Sequence, residues 1–153
     1  MRKPEFVYVT YIETTPEKLW EALTDGDFTE RYWFGVRLRS DWKIGSSFEM
    51  VRDDSSVSDA GKVVEYDPPR RLAYTFVNLS DTYKGEPPAL ATFVIEPYGK
   101  LVKLTVTQEG FAEGGKFFDG VSKGWPAILS GLKSLLETGK PLEIPYAALK
   151  FES

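Results

Sequence analysis

Between Lys116 and Thr138 the chain reads KFFDGVSKGWPAILSGLKSLLET, and its apolar positions recur at alternating spacings of three and four. Phe118, Val121, Trp125, Ile128, Leu132 and Leu135 form one stripe of a helix, widened by Phe117, Leu129 and Leu136. A stripe that broad has to be buried against a large surface. Gly114 and Gly115 before it, and Gly139 and Pro141 after it, punctuate the helix ends. Pro126 removes a backbone donor and crowds the turn before it, so a kink is expected between Ser122 and Trp125.

Elsewhere the period is mostly two. Phe6, Tyr8, Thr10 and Ile12 alternate with Val7, Val9 and Tyr11, which predicts a first strand covered on both faces. Thr15 followed by Pro16 reads as an N-cap with proline at the first helical position, and Leu19, Trp20 and Leu23 share a face of that helix. Asp25 or Gly26 ends it; Phe28 to Phe34 predicts a second short helical segment closing in Tyr32, Trp33 and Phe34 before Gly35. Extended runs follow: Phe48 and Met50 around Glu49, Val63 to Tyr66 up to Asp67-Pro68-Pro69, and Leu72, Tyr74 and Phe76 opposite Arg71, Ala73, Thr75 and Val77. Ala91, Phe93 and Ile95 make the next inward set. A turn over Pro97 to Gly99 leads to Leu104 and Val106 inward, with Lys103 and Thr105 outward. The polar stretch between Leu79 and Leu90, with Gly85 and Pro87-Pro88, predicts a long loop, and Lys140 to Ser153 a loosely packed tail. One long helix among many strands has to lie on a sheet.

Composition narrows the function. A chain of 153 residues with 42% hydrophobic content fits a single domain over 1–153, with a core at about 6–142 and a tail at 143–153. A net charge of −4 with scattered basic residues argues against a nucleic-acid or anionic-membrane partner. The absence of cysteine removes disulfide, thiolate and zinc-thiolate chemistry. The absence of histidine removes imidazole triads and the usual near-neutral proton shuttle. Any catalysis would rest on carboxylate, Tyr, Lys or Arg. The apolar run in MRKPEFVYV is too short for a signal peptide or membrane span, so a cytoplasmic location is expected. Asp53-Asp54 lacks the spaced oxygen ligands of a calcium loop and, with Arg52, reads as a solvated turn; no metal or cofactor is expected. Gly114-Gly115 could present backbone N–H groups to an anion, although a linker is the simpler reading.

Three segments in order carry a resemblance. ETTPEKLWEALTDGDFTERYWFG, GKVVEYDPPRRLAYTF and GWPAILSGLKSLLETGKPL resemble the START-like proteins related to the activator of the heat-shock-protein-90 ATPase, over roughly Phe6 to Leu142. The resemblance implies an α+β helix-grip fold, like that of the birch-pollen allergen. A curved antiparallel sheet of about six or seven strands would hold the long C-terminal helix, with two short helices after strand one. It also implies a cavity between sheet and helix suited to a small hydrophobic or aromatic molecule. Family members commonly carry a histidine in the strand before the last helix; this chain has Gln108, which offers amide hydrogen bonding without proton transfer.

The rings Trp33, Phe34, Phe48, Tyr74, Phe76, Phe93, Phe118 and Trp125, with Met50, Gln108 and Val121, are the candidate ligand-binding residues, against the alternative that they fill the core. Non-enzymatic binding of a small hydrophobic molecule is the leading expectation. A chaperone-associated role on the heat-shock-protein-90 ATPase is the first alternative, and a cavity enzyme using Tyr74 or Glu49 the second. Either a monomer or a homodimer fits.

Overall fold

The computed structural model describes residues 4–151, so residues 1–3 and 152–153 of the expected domain lie outside the described residues. The elements run β1 (Phe6–Ile12), α1 (Pro16–Thr24), α2 (Gly26–Tyr32), β2 (Arg37–Ser40), β3 (Ser47–Val51), β4 (Val57–Asp67), β5 (Arg71–Asn78), β6 (Ala89–Tyr98), β7 (Leu101–Glu109) and α3 (Phe117–Thr138). The strands form one curved antiparallel sheet in the order β1-β7-β6-β5-β4-β3-β2. Helix α3 lies on its concave face, where Trp125 meets Phe93 edge-on at 5.7 Å and Phe117 meets Phe76 at 5.7 Å. This is the helix-grip architecture that the resemblance implies, and it meets the periodicities' requirement of a sheet under the helix stripe.

Local chemistry sets the joints. Thr15 Oγ1 accepts from Lys18 N at 3.1 Å, capping α1 with Pro16 in its first turn. Asp25 serves both short helices: its backbone N–H closes α1 on Glu21 O at 2.9 Å, and its carboxylate caps α2 through Asp27 N at 2.8 Å. Gly139, at φ 85°, ends α3 with its N–H on Leu135 O at 2.9 Å.

Several expectations need correction. The buried stripe of α3 is centred on Phe117; Phe118 sits at its edge, half-buried against Phe111 at 5.3 Å. Helix α3 runs without a break from Phe117 to Thr138, with Pro126 inside it. Pro126 and Ser122 are both half-buried, so the carbonyl freed by the missing N–H lies on a side that water reaches. Strand β1 is covered on one face only: Val7 and Val9 are about half exposed, because β1 is an edge strand and no helix crosses its outer side. The β6–β7 turn is Gly99-Lys100 rather than Pro97 to Gly99. Pro97 stays in the strand without loss: Ile95 N bonds Arg70 O on the β5 side, and two residues on, the same side lies beyond the end of β5.

The polar loop between β5 and β6 does more than connect. Glu86 accepts from Lys116 N at 2.9 Å and from Phe117 N at 3.2 Å, so its carboxylate sits on the first free N–H groups of α3. Gly115 makes room for it, since a Cβ there would collide with Glu86 Oε1. The anion that Gly114-Gly115 could receive is thus part of the chain. Glu86→Ala is expected to destabilise the protein by about 1 kcal/mol, a fall of about 2–4 °C in Tm, read by thermal unfolding.

Candidate functional site

Sheet and helix close together without filling the space between them. A cavity of about 810 Å³ remains at the end where α3 begins, roofed by Phe117, Val121, Trp125 and Ile128. Two glycines face it one turn apart. A Cβ on Gly120 would stand 2.8 Å from Tyr83 Oη, and one on Gly124 would stand 3.7 Å from the Phe151 ring. An interior helical glycine costs about 1 kcal/mol relative to alanine. Here the missing side chain of Gly120 lets Tyr83, on the loop after β5, approach the helix, while a Cβ on Gly124 would make an ordinary contact with Phe151.

The side wall comes from the turn after α2. Phe34 adopts φ 53°, and Trp33 packs edge-on against Trp125 at 5.3 Å. The tail is partly ordered by the same rings: Tyr146, in a short 3-10 turn over Tyr146–Leu149, meets Phe34 at 5.1 Å and stacks on Phe151 at 4.9 Å. Lys123 Nζ also donates to Lys150 O at 3.1 Å. The tail expected to be loose therefore borders the cavity with Ile144, Tyr146 and Phe151.

Six of the eleven candidate residues line this space: Trp33, Phe34, Met50, Phe76, Val121 and Trp125. Phe48, Tyr74, Phe93 and Gln108 are fully buried in the sheet-side core, off the cavity wall. Phe48 and Tyr74 stack at 3.9 Å, and Tyr74 lies 5.4 Å from Phe93. Phe118 is on the helix edge, away from the cavity. Register explains the buried layer: Tyr74 pairs with Ala91 and Ala91 with Gln108, so a small residue separates two polar side chains in one row. Gln108 Oε1 accepts the indole N–H of Trp125 at 2.8 Å; because that indole can only donate, the amide orientation is fixed. Gln108 Nε2 and Tyr74 Oη are then buried without a partner.

The polar end of the cavity holds Asp59, which sequence reasoning missed. It lies on β4, in a row with Met50 of β3 and Asn78 of β5. Its parity with the inward Val63, four residues on, places it on the inner face. Only 7% of it is exposed, and Asn78 Nδ2 donates to its Oδ1 at 3.2 Å. Burial pushes its carboxyl pKa up, opposed by the nearby Ser58 hydroxyl, the hydrogen bond from Asn78 and the Arg52 charge. Burial, and then the charges of Tyr32 and Asp59, push the Tyr74 hydroxyl well above its ordinary value, so it remains a neutral phenol near pH 7. Glu49 is outside the site. It points to the sheet face opposite Phe48 and Met50 and pairs with Arg39 at 2.6 Å. Among the described residues, no group of three or more carboxylates is placed to hold a metal ion.

A curved antiparallel sheet holding a long C-terminal helix over a ring-lined cavity defines a START-like protein of the helix-grip class. Within that class, the family described as "Activator of Hsp90 ATPase homolog 1-like protein" matches residues 13–137, and the chain belongs to it. None of the curated proteins compared with the chain matches it. Solved structures share the fold. An HSP90 activator from Plasmodium falciparum, PFC0360w, is 19% identical with a TM-score of 0.72, over 86% of this chain and 95% of that one. The Aha1 dimer from Colwellia psychrerythraea is 22% identical with a TM-score of 0.71, over 89% and 98%. DynU16, from the dynemicin biosynthetic locus, is 21% identical with a TM-score of 0.74, over 92% of this chain and 49% of its own.

Two outcomes follow from the buried polar groups. Tyr74→Phe removes an unpartnered hydroxyl, so it is expected to raise stability by about 1 kcal/mol in a denaturant titration. Asp59 has a folded pKa above its unfolded value of about 3.9. Its contribution is fully present below that value and is lost as pH rises through the folded pKa. Asp59→Asn, which can keep the bond from Asn78, is expected to match the wild-type Tm near pH 3 and exceed it at neutral pH, read by thermal scans across pH.

Proposed function

We propose that the protein binds a small hydrophobic or aromatic molecule in the cavity between the sheet and the N-terminal half of α3. The observation that carries this reading is the cavity of about 810 Å³, walled by Trp33, Phe76, Phe117 and Trp125 with a few polar groups gathered at one end. Such concave, mostly apolar spaces with a small polar set are how proteins hold small ligands. The rings of the tail, Tyr146 and Phe151, support it, since they bound the space. The reading takes the protein to work in the cytoplasm, as a monomer or a homodimer.

Family membership supports a second reading, a chaperone-associated role, because the family's description and the P. falciparum structure refer to an Hsp90 activator. Measuring the chaperone's ATPase rate with and without this protein tests it, and an unchanged rate with no capture in a pull-down would remove it.

For the leading reading, native mass spectrometry of freshly purified protein is expected to carry a non-covalent mass that denaturation removes. Aromatic ligands at about a hundred times their Kd should stabilise the fold by about 2.7 kcal/mol. Val121→Trp, which fills the cavity from the helix side, is expected to weaken that binding at least about tenfold, equivalent to about 1.4 kcal/mol. A panel of apolar compounds that leaves Tm unmoved, with a clean apo mass, would count decisively against it.

A further inference from the structure

The cavity's deeply buried carboxylate, Asp59, has no ion-pair partner among the described residues. It is on the cavity wall and 7% exposed. The nearest cation in its electrostatic surroundings is Arg52, which is exposed on the turn after β3 and bonded to Ser56 Oγ at 3.2 Å. An ionised carboxylate offers about four acceptor positions. Asn78 accounts for one of them, while the Ser58 hydroxyl donates to Met50 O at 3.4 Å. Burying such a group is unfavourable unless a charged or donating partner meets it.

The surroundings of Asp59 select the partner. Trp33, Phe76, Trp125 and Tyr83 present rings to the same space, and the negative faces of aromatic rings attract cations. Asp53 adds a second carboxylate at the rim. Arg52 is the one basic residue on the wall among the described residues, so Asp59 and Asp53 leave the space net negative and unfavourable to an anionic ligand. An uncharged hydrocarbon would leave the buried carboxylate with no partner at ion-pair distance.

We infer that the cavity is built for an organic cation, a protonated amine on an apolar or aromatic body, with Asp59 holding the ammonium and the rings enclosing the body. This rests on the reading that the cavity takes a small apolar molecule, and it adds the charge of the headgroup. The remaining ionisable groups around Asp59 are Arg52 and Asp53 on the turn after β3, Tyr83 on the loop after β5, Tyr146 in the tail and Tyr74 in the core below. Of these, Asp59 is the one whose charge changes on acidification while it faces the bound headgroup from within the cavity.

The test is calorimetry with three probes of one shape: naphthylethylamine, its uncharged counterpart propylnaphthalene, and naphthylacetate. The amine is expected to bind roughly ten- to hundredfold tighter than propylnaphthalene, and naphthylacetate more weakly than either. Asp59→Asn should bring the amine to the affinity of propylnaphthalene. In the wild type, without any substitution, the same advantage should fade as the pH falls and Asp59 takes up a proton, because an alkylammonium keeps its charge throughout that range. Equal binding of the amine and propylnaphthalene, or an advantage that survives Asp59→Asn, overturns the inference while leaving the apolar cavity reading intact. Failure of all three probes to bind overturns both.

Discussion

One hydrogen bond ties the two layers of this fold through its apolar interior. The Trp125 indole N–H, on the helix, meets the Gln108 amide oxygen, on the sheet, at 2.8 Å in a fully buried setting. Either group left alone there would cost about 1–3 kcal/mol, so the pair fixes both where α3 sits along the sheet and which face it turns inward. Everything on the cavity side follows from that choice. With Trp125 turned to Gln108, Val121 and Ile128 sit one turn away on either side, and Gly120 and Gly124 fall toward the loop and the tail. Gln108 makes this link with an amide, which carries no titrating proton.

The helix is held at three kinds of contact: a carboxylate at its start, an indole in its middle and a glycine at its end. Between start and middle its packing is thinned by glycine, and the sheet beneath is thinned by Ala89 and Ala91. Phe48 and Tyr74 on the sheet pack on one another, while Phe76 and Phe93 reach the helix at Phe117 and Trp125. The result is a dense aromatic layer below and an open space above it. That division separates the candidate residues into those that support the floor and those that bound the space.

The architecture was legible because period is a strong signal over long elements. A 22-residue helix with a broad stripe and six extended runs leave few ways to bury both, and only the four-residue β2, Arg37–Ser40, was too short to read. Phe117 and Phe118 were harder: neighbours on a helix differ by about 100° in direction, and two phenylalanines give the pattern no reason to prefer one. Contacts with Phe76 and Tyr83 decide it in favour of Phe117. Asp59 was hidden by its company, since Ser55 to Lys62 reads as a polar turn until the strand register counts it in phase with Val63. Glu86 and the tail rings were beyond reach, because their partners are 30 and more residues away and share no local pattern with them.

The edge-on contact of Trp33 and Trp125 has an optical consequence. Two indoles held 5.3 Å apart at a fixed angle couple their strong electronic transitions and give a signed pair of bands in far-ultraviolet circular dichroism. Of the four tryptophans, these are the two on the cavity wall; Trp20 sits against Tyr66, and Trp42 beside Phe48 and Tyr66. The protein thus carries, without a label, a chromophore pair whose geometry belongs to the cavity, with two further indoles in the same chain as an internal reference.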